Sequence, residues 1–83
     1  MTRNEIEKII REEIDNIAPG SIPADLNPNT DMRETMDLDS MDMLNLAAAL
    51  HERLGVDIPE REQAKLTTLK ATLDYLEPRV ATA

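Results

Sequence analysis

Five isoleucines, Ile6, Ile9, Ile10, Ile14 and Ile17, recur at steps of three and four near the start of this 83-residue chain. At about 100° of rotation per residue, that spacing lines up one apolar face of an α-helix. Thr2 followed by Glu5 has the form of a capping box, and Pro19 with Gly20 supplies a stop, so the spacing predicts a helix over 3–17. Such a face needs partners, and no later segment alternates as a half-buried strand does. The partners are therefore helices. Tyr75 is the only aromatic residue and there is no cysteine, so the core is built from Ile, Leu, Met, Val and Ala without disulfides.

The stretch from Pro19 to Asp39 holds three prolines and no sustained period. A loop of about twenty residues is long for a small domain. Its apolar residues Ile22, Leu26, Met32, Met36 and Leu38 predict an ordered crossover pinned to the core, with a short turn of helix near 30–35. A helix over 40–54 follows, with Asp39 or Ser40 as N-cap and Gly55 after its end. Pro59, with Glu60 and Glu62 behind it, opens a short helix. Leu69, Leu73 and Leu76 then line a last helix over 68–77, capped by Thr67 or Thr68 and ended by Pro78. The expected fold is all-α: a small four-helix bundle of three longer helices and one short third helix, with a long loop between helices one and two. The chain is read as a single domain over 1–83, with a frayed tail at 78–83.

Seventeen acids stand against nine bases. That balance repels nucleic-acid phosphates and anionic membrane surfaces, and favours basic protein partners. The repulsion also predicts that salt or magnesium raises the melting temperature. A lone histidine, His51, rules out a multi-histidine metal site. No apolar run reaches membrane-spanning length and the N-terminus lacks the apolar core of a signal peptide. A monomeric, cytoplasmic protein is the expectation.

The 40–54 segment carries two apolar stripes. Met43, Leu46, Ala47, Leu50 and Leu54 form one, wide enough to be the core face. Met41, Leu44 and Ala48 lie on the opposite side, beside Asn45 and Glu52. The second stripe is equally consistent with a docking patch, with scattered surface hydrophobes, and with a long loop folded across it.

Ser40 opens this segment among Asp37, Asp39 and Asp42. A nucleophile elbow needs flanking glycines that are missing here, and His51 lies about 16 Å along the same helix by its rise. An EF-hand needs glycine at loop position 6 and glutamate at position 12, where Asp42 and Ala48 stand. Two readings survive: Ser40 as a helix cap, or Ser40 as an exposed acceptor for a group attached by another enzyme.

"DSMDMLNLAAALHERLGVDIP" followed by "LTTLKATLDYL" resembles the acyl carrier protein family over nearly the whole chain. The resemblance implies that Ser40 bears 4′-phosphopantetheine, transferred from coenzyme A by a holo-synthase (a phosphopantetheinyl transferase), with Asp39 making a transient magnesium contact. No resident metal site and no catalytic residue are implied. It also implies that Asp39, Met41, Asp42, Leu44, Ala48 and Glu52 dock acyl-transferring or acyl-ligating enzymes with basic surfaces. The cargo is implied to be an acyl thioester of fatty-acid, polyketide or related biosynthesis; the alternatives are an aminoacyl or peptidyl carrier and an unmodified helical adaptor. Asn45 and His51 stand where many fatty-acid carriers have acids, Arg53 adds a positive charge, and Asp37 replaces a glycine-like residue. Those departures imply a specialised carrier. The initiator methionine and the length are read as a free-standing protein.

Overall fold

A computed structural model describes residues 1–80. Helix α1 spans Arg3–Ile17, α2 Met32–Thr35, α3 Ser40–Leu54 and α4 Leu69–Val80, with a 3-10 helix at Glu60–Lys65 between α3 and α4. No strand occurs among the described residues, and the all-α expectation holds. Among the described residues no helix is long and apolar enough to cross a membrane.

The capping box at the start of α1 is complete. Thr2 Oγ1 accepts from the Glu5 amide at 3.2 Å, and Glu5 Oε1 accepts from the Thr2 amide at 2.8 Å. The backbone and hydroxyl of Thr2 hold the Glu5 carboxyl below its usual range. Ile6, Ile10 and Ile14 are buried, with Ile9 and Ile17 half-buried at the edge of the same face. This face packs on α3 and α4. Ion pairs close its rims: Arg3 reaches Asp74 and Glu77 on α4, and Arg53 of α3 reaches Glu12 and Glu13 on α1.

The crossover is pinned as its apolar residues predict. Met32, Met36 and Leu38 are buried, and Ile22 and Leu26 pack against the core. Backbone bonds tie the crossover to the entry of α4: the Met32 amide donates to the Thr67 carbonyl at 2.7 Å, and the Lys70 amide to the Pro28 carbonyl at 2.9 Å. Thr68 caps α4, its Oγ1 accepting from the Ala71 amide at 2.9 Å. The short third helix is a 3-10 helix rather than an α-helix.

Pro78 does not end α4, which runs to Val80. Proline in a helix forfeits one backbone bond. Here the loss falls in the last turn and on an exposed side, while Val80 continues the buried row of Leu69, Leu73 and Leu76. Arg79 adds support, donating to the Tyr75 carbonyl at 2.6 Å with its guanidinium 3.7 Å from the Tyr75 ring centroid. Residues 78–80 are therefore helical rather than frayed, and the rest of the expected tail lies outside the described residues.

Candidate functional site

The crossover turns sharply before it enters α3. The Leu38 amide donates back to the Arg33 carbonyl at 3.0 Å, closing a loop around Thr35–Asp37. Asp37 sits at φ 54°, the only non-glycine residue with positive φ among those described. This left-handed backbone favours glycine, with aspartate among the few side chains that tolerate it. The glycine-like residue expected here has a conformational reason, and Asp37 meets it at a cost.

Asp39, not Ser40, caps α3. Asp39 Oδ1 accepts from the Asp42 amide at 2.8 Å, and Asp42 Oδ2 accepts from the Asp39 amide at 3.1 Å. The helix-cap reading of Ser40 is thereby corrected: Ser40 is the first residue inside α3, exposed, and no hydrogen bond engages its Oγ among the described residues. Aspartate wins the cap because it can pair reciprocally with the acid three residues on. The hydroxyl is left exposed, with no duty to the fold.

Ser40 fronts a cleft of about 150 Å³ between the start of α3 and the 3-10 helix. Arg33, Met43, Gln63, Leu66 and Thr67 are among its walls. Sequence reasoning missed this cleft. Arg33 lies on α2, Ser40 on α3 and Gln63 on the 3-10 helix, so no periodicity within one helix links them. A second cleft, of about 220 Å³, continues along the seam between α3 and the 3-10 helix, lined by Leu44, Ala47, Ala48, His51, Ile58 and Gln63 among others.

The two stripes of α3 separate as the helical wheel requires. Met43, Leu46, Ala47 and Leu50 are buried, with Leu54 half-buried. Met41 is 62% exposed and Leu44 42%, and Ala48 is exposed beside them, so the crossover does not fold across this stripe. Glu52 and Asn45 are exposed on the same helix. Ser40, Asp39, Met41, Asp42 and Leu44 are thus gathered at one end, with Ala48 and Glu52 one and two turns farther along.

Two basic residues have local duties instead. His51 is exposed, but its Nδ1 lies 3.1 Å from the Val56 carbonyl, at the turn where Gly55 takes φ 71° to close the helix. Arg53, expected to add positive charge to this face, is committed to α1 through Glu13 at 2.9 Å and Glu12 at 3.0 Å. Those carboxylates hold its pKa above the usual arginine value.

Residues 4–76 match the family described as a phosphopantetheine attachment site. The acyl carrier protein of Rubrobacter xylanophilus is 34% identical over 76 residues, which cover 92% of this chain and 93% of that protein. The acyl carrier protein of Thermosynechococcus vestitus is 37% identical over 59 residues, which cover 71% of this chain and 73% of that protein.

Proposed function

This chain belongs to the acyl carrier protein family, and on that premise we propose that Ser40 is the attachment point of its 4′-phosphopantetheine and that α3 presents the loaded arm to partner enzymes. Membership in the family brings with it a covalently attached 4′-phosphopantetheine group. The observation that carries the assignment to Ser40 is the division of labour at the start of α3: Asp39 and Asp42 hold the helix end, while the Ser40 hydroxyl stands exposed and unengaged.

The chain supplies an acceptor and a docking face, and the chemistry of activation belongs to another enzyme. In the modification, Ser40 Oγ bonds to the phosphorus of coenzyme A's 4′-phosphopantetheine, the bond to the leaving nucleotide breaks, and the serine proton passes to the transferase. One oxygen of Asp39 is committed to the Asp42 amide; the other is open to the magnesium ion that accompanies the transfer. When bound, the group supplies a terminal thiol that carries acyl chains as thioesters. Ser40 anchors, Met41, Leu44 and Ala48 offer apolar contact, and Asp42 and Glu52 attract basic partner surfaces. With Arg53 drawn to α1, the docking face keeps its acids without a competing base, although Asn45 and His51 leave it less acidic than a uniform carboxylate face. That composition suits a carrier serving dedicated partners of fatty-acid, polyketide or related acyl biosynthesis. The protein acts as a monomeric, cytoplasmic carrier and performs no turnover itself.

Intact-protein mass spectrometry after incubation with coenzyme A, magnesium and a broad-specificity phosphopantetheinyl transferase tests this. One pantetheine adduct is expected on the wild type and none on Ser40→Ala. No adduct with several transferases would leave a helical adaptor, and an adduct surviving in Ser40→Ala would move the attachment point elsewhere.

A further inference from the structure

The start of α3 is poorly equipped to hold an anion by itself. The carboxylates of Asp39 and Asp42 already occupy each other's backbone amides, and they place negative charge where the helix dipole would favour a phosphate. Asp37 adds a third acid close by in the chain. A phosphodiester on Ser40 therefore enters a repulsive neighbourhood unless a cation answers it.

Arg33 is the cation in that neighbourhood. It lines the same cleft as Ser40 and is exposed there. Its main chain is held by the Leu38 amide on its carbonyl at 3.0 Å and by Asp31 Oδ1 on its amide at 2.8 Å. Its guanidinium makes no ion pair among the described residues. By contrast Arg3, Arg11 and Arg53 are each paired with carboxylates, Arg79 is laid over Tyr75, and Arg61, which likewise makes no ion pair among the described residues, does not line the cleft. An unpaired guanidinium beside four acids of its own segment, Asp31, Glu34, Asp37 and Asp39, is a donor fork left open for another acceptor.

We propose that Arg33 is the counter-cation of the phosphodiester that joins the arm to Ser40, seating the arm over the cleft toward the 3-10 helix. Arg33 is a positioning residue, with no part in forming the bond. It sets the side of α3 from which the arm departs, over the cleft walled by Arg33, Gln63 and Thr67, and leaves Met41, 62% exposed and outside that cleft, free for a partner to grip. This rests on Ser40 being the attachment point.

The test follows the Arg33 Nε–H resonance and the phosphorus resonance of the arm by NMR as the full chain is converted from apo to holo form. Mass spectrometry reports loading separately. In the wild type, loading is expected to shift the Arg33 Nε–H signal and slow its exchange with water. In holo Arg33→Gln the phosphorus signal is expected to move toward that of a free pantetheine phosphodiester, with Arg33→Lys in between. Arg61→Gln removes the same charge from an exposed arginine outside the cleft, and is expected to match the wild type. Full loading with an unmoved Arg33 signal, or Arg61→Gln acting as strongly as Arg33→Gln, would overturn the assignment of Arg33 and leave Ser40 standing. An absent adduct would overturn both.

Discussion

Asp39 and Asp42 hold each other's backbone amides, at 2.8 and 3.1 Å, and so leave the serine between them with nothing to do for the fold. Capping and the attachment proposed for Ser40 are thereby separable by substitution. Asp39→Ala is expected to cost about 1 kcal/mol, the usual loss of a good N-cap, and to lower Tm by roughly 4–8 °C in a domain of this size. Ser40→Ala is expected to stay within about 0.5 kcal/mol of the wild type, as an exposed substitution does. Thermal melts of the apo proteins check this. A Ser40→Ala loss as large as that of Asp39→Ala would mean that the hydroxyl has a structural partner after all.

Asp37→Gly is expected to stabilise the protein. A non-glycine residue in left-handed backbone carries a penalty of roughly 1–2 kcal/mol, smaller for aspartate. Glycine removes it while adding freedom to the unfolded chain. The expected gain is about 0.5–1 kcal/mol, read as a higher midpoint in urea with an unchanged slope. A drop in the midpoint would show that the Asp37 carboxylate makes a contact worth more than the strain.

Leu44→Glu should separate docking from folding. Leu44 is 42% exposed on the apolar stripe, so the substitution is expected to leave Tm nearly unchanged. Loss of an apolar anchor at an interface is worth on the order of 1–2 kcal/mol, so the KM of a phosphopantetheinyl transferase for this carrier should rise about tenfold. A large fall in Tm would mean that Leu44 belongs to the core, and an unchanged KM would remove it from the docking face.

Asp74 provides a test of pH dependence. Lys70 and Arg3 hold its carboxyl below the ordinary aspartate value of 3.8. A depressed folded pKa stabilises the fold above the unfolded pKa, and that contribution is lost as pH falls through the folded value. The Tm gap between the wild type and Asp74→Asn is therefore expected to be constant near neutrality and to close below about pH 4. A gap that widens on acidification would reverse the sign of the interaction.

Salt sets two effects against each other. Screening weakens the exposed ion pairs that tie α1 to α3 and α4, but such pairs are worth about 0–1 kcal/mol each. It also weakens repulsion among 17 acids on a chain of net charge −8. Relief of that repulsion outweighs the weakened pairs, so Tm is expected to rise as sodium chloride goes from low to moderate concentration. A flat or falling Tm would show that the rim pairs dominate.

Local periodicity accounts for what could be read in advance. The isoleucine row of α1 and the paired stripes of α3 are properties of one helix each, and a helical wheel exposes them. The exposed stripe was legible for that reason, whereas Ser40 was singled out by the resemblance of its D-S-M-D segment to acyl carrier proteins. What escaped depends on residues far apart in sequence or on competition between neighbours. The sequence offered both Asp39 and Ser40 as the cap, and the choice fell to Asp39 through its pairing with Asp42. Pro78 failed to stop α4 because Val80, two residues on, reaches the core. The charge of Arg53 belongs to α1 because Glu12 and Glu13, about forty residues earlier, lie across from it. The cleft beside Ser40 needs the 3-10 helix brought against α3, which no pattern within either segment reveals.

Tyr75 is buried at the meeting of α4 and the 3-10 helix, with its hydroxyl 3.4 Å from Glu62 Oε1 and the Arg79 guanidinium over its ring. It is also the only aromatic side chain in the protein apart from the imidazole of His51. Its ultraviolet emission therefore comes from a single fluorophore at that junction. Any movement of the 3-10 helix that freed the Tyr75 hydroxyl from Glu62 would change the whole tyrosine emission of the chain, a label-free report on that junction.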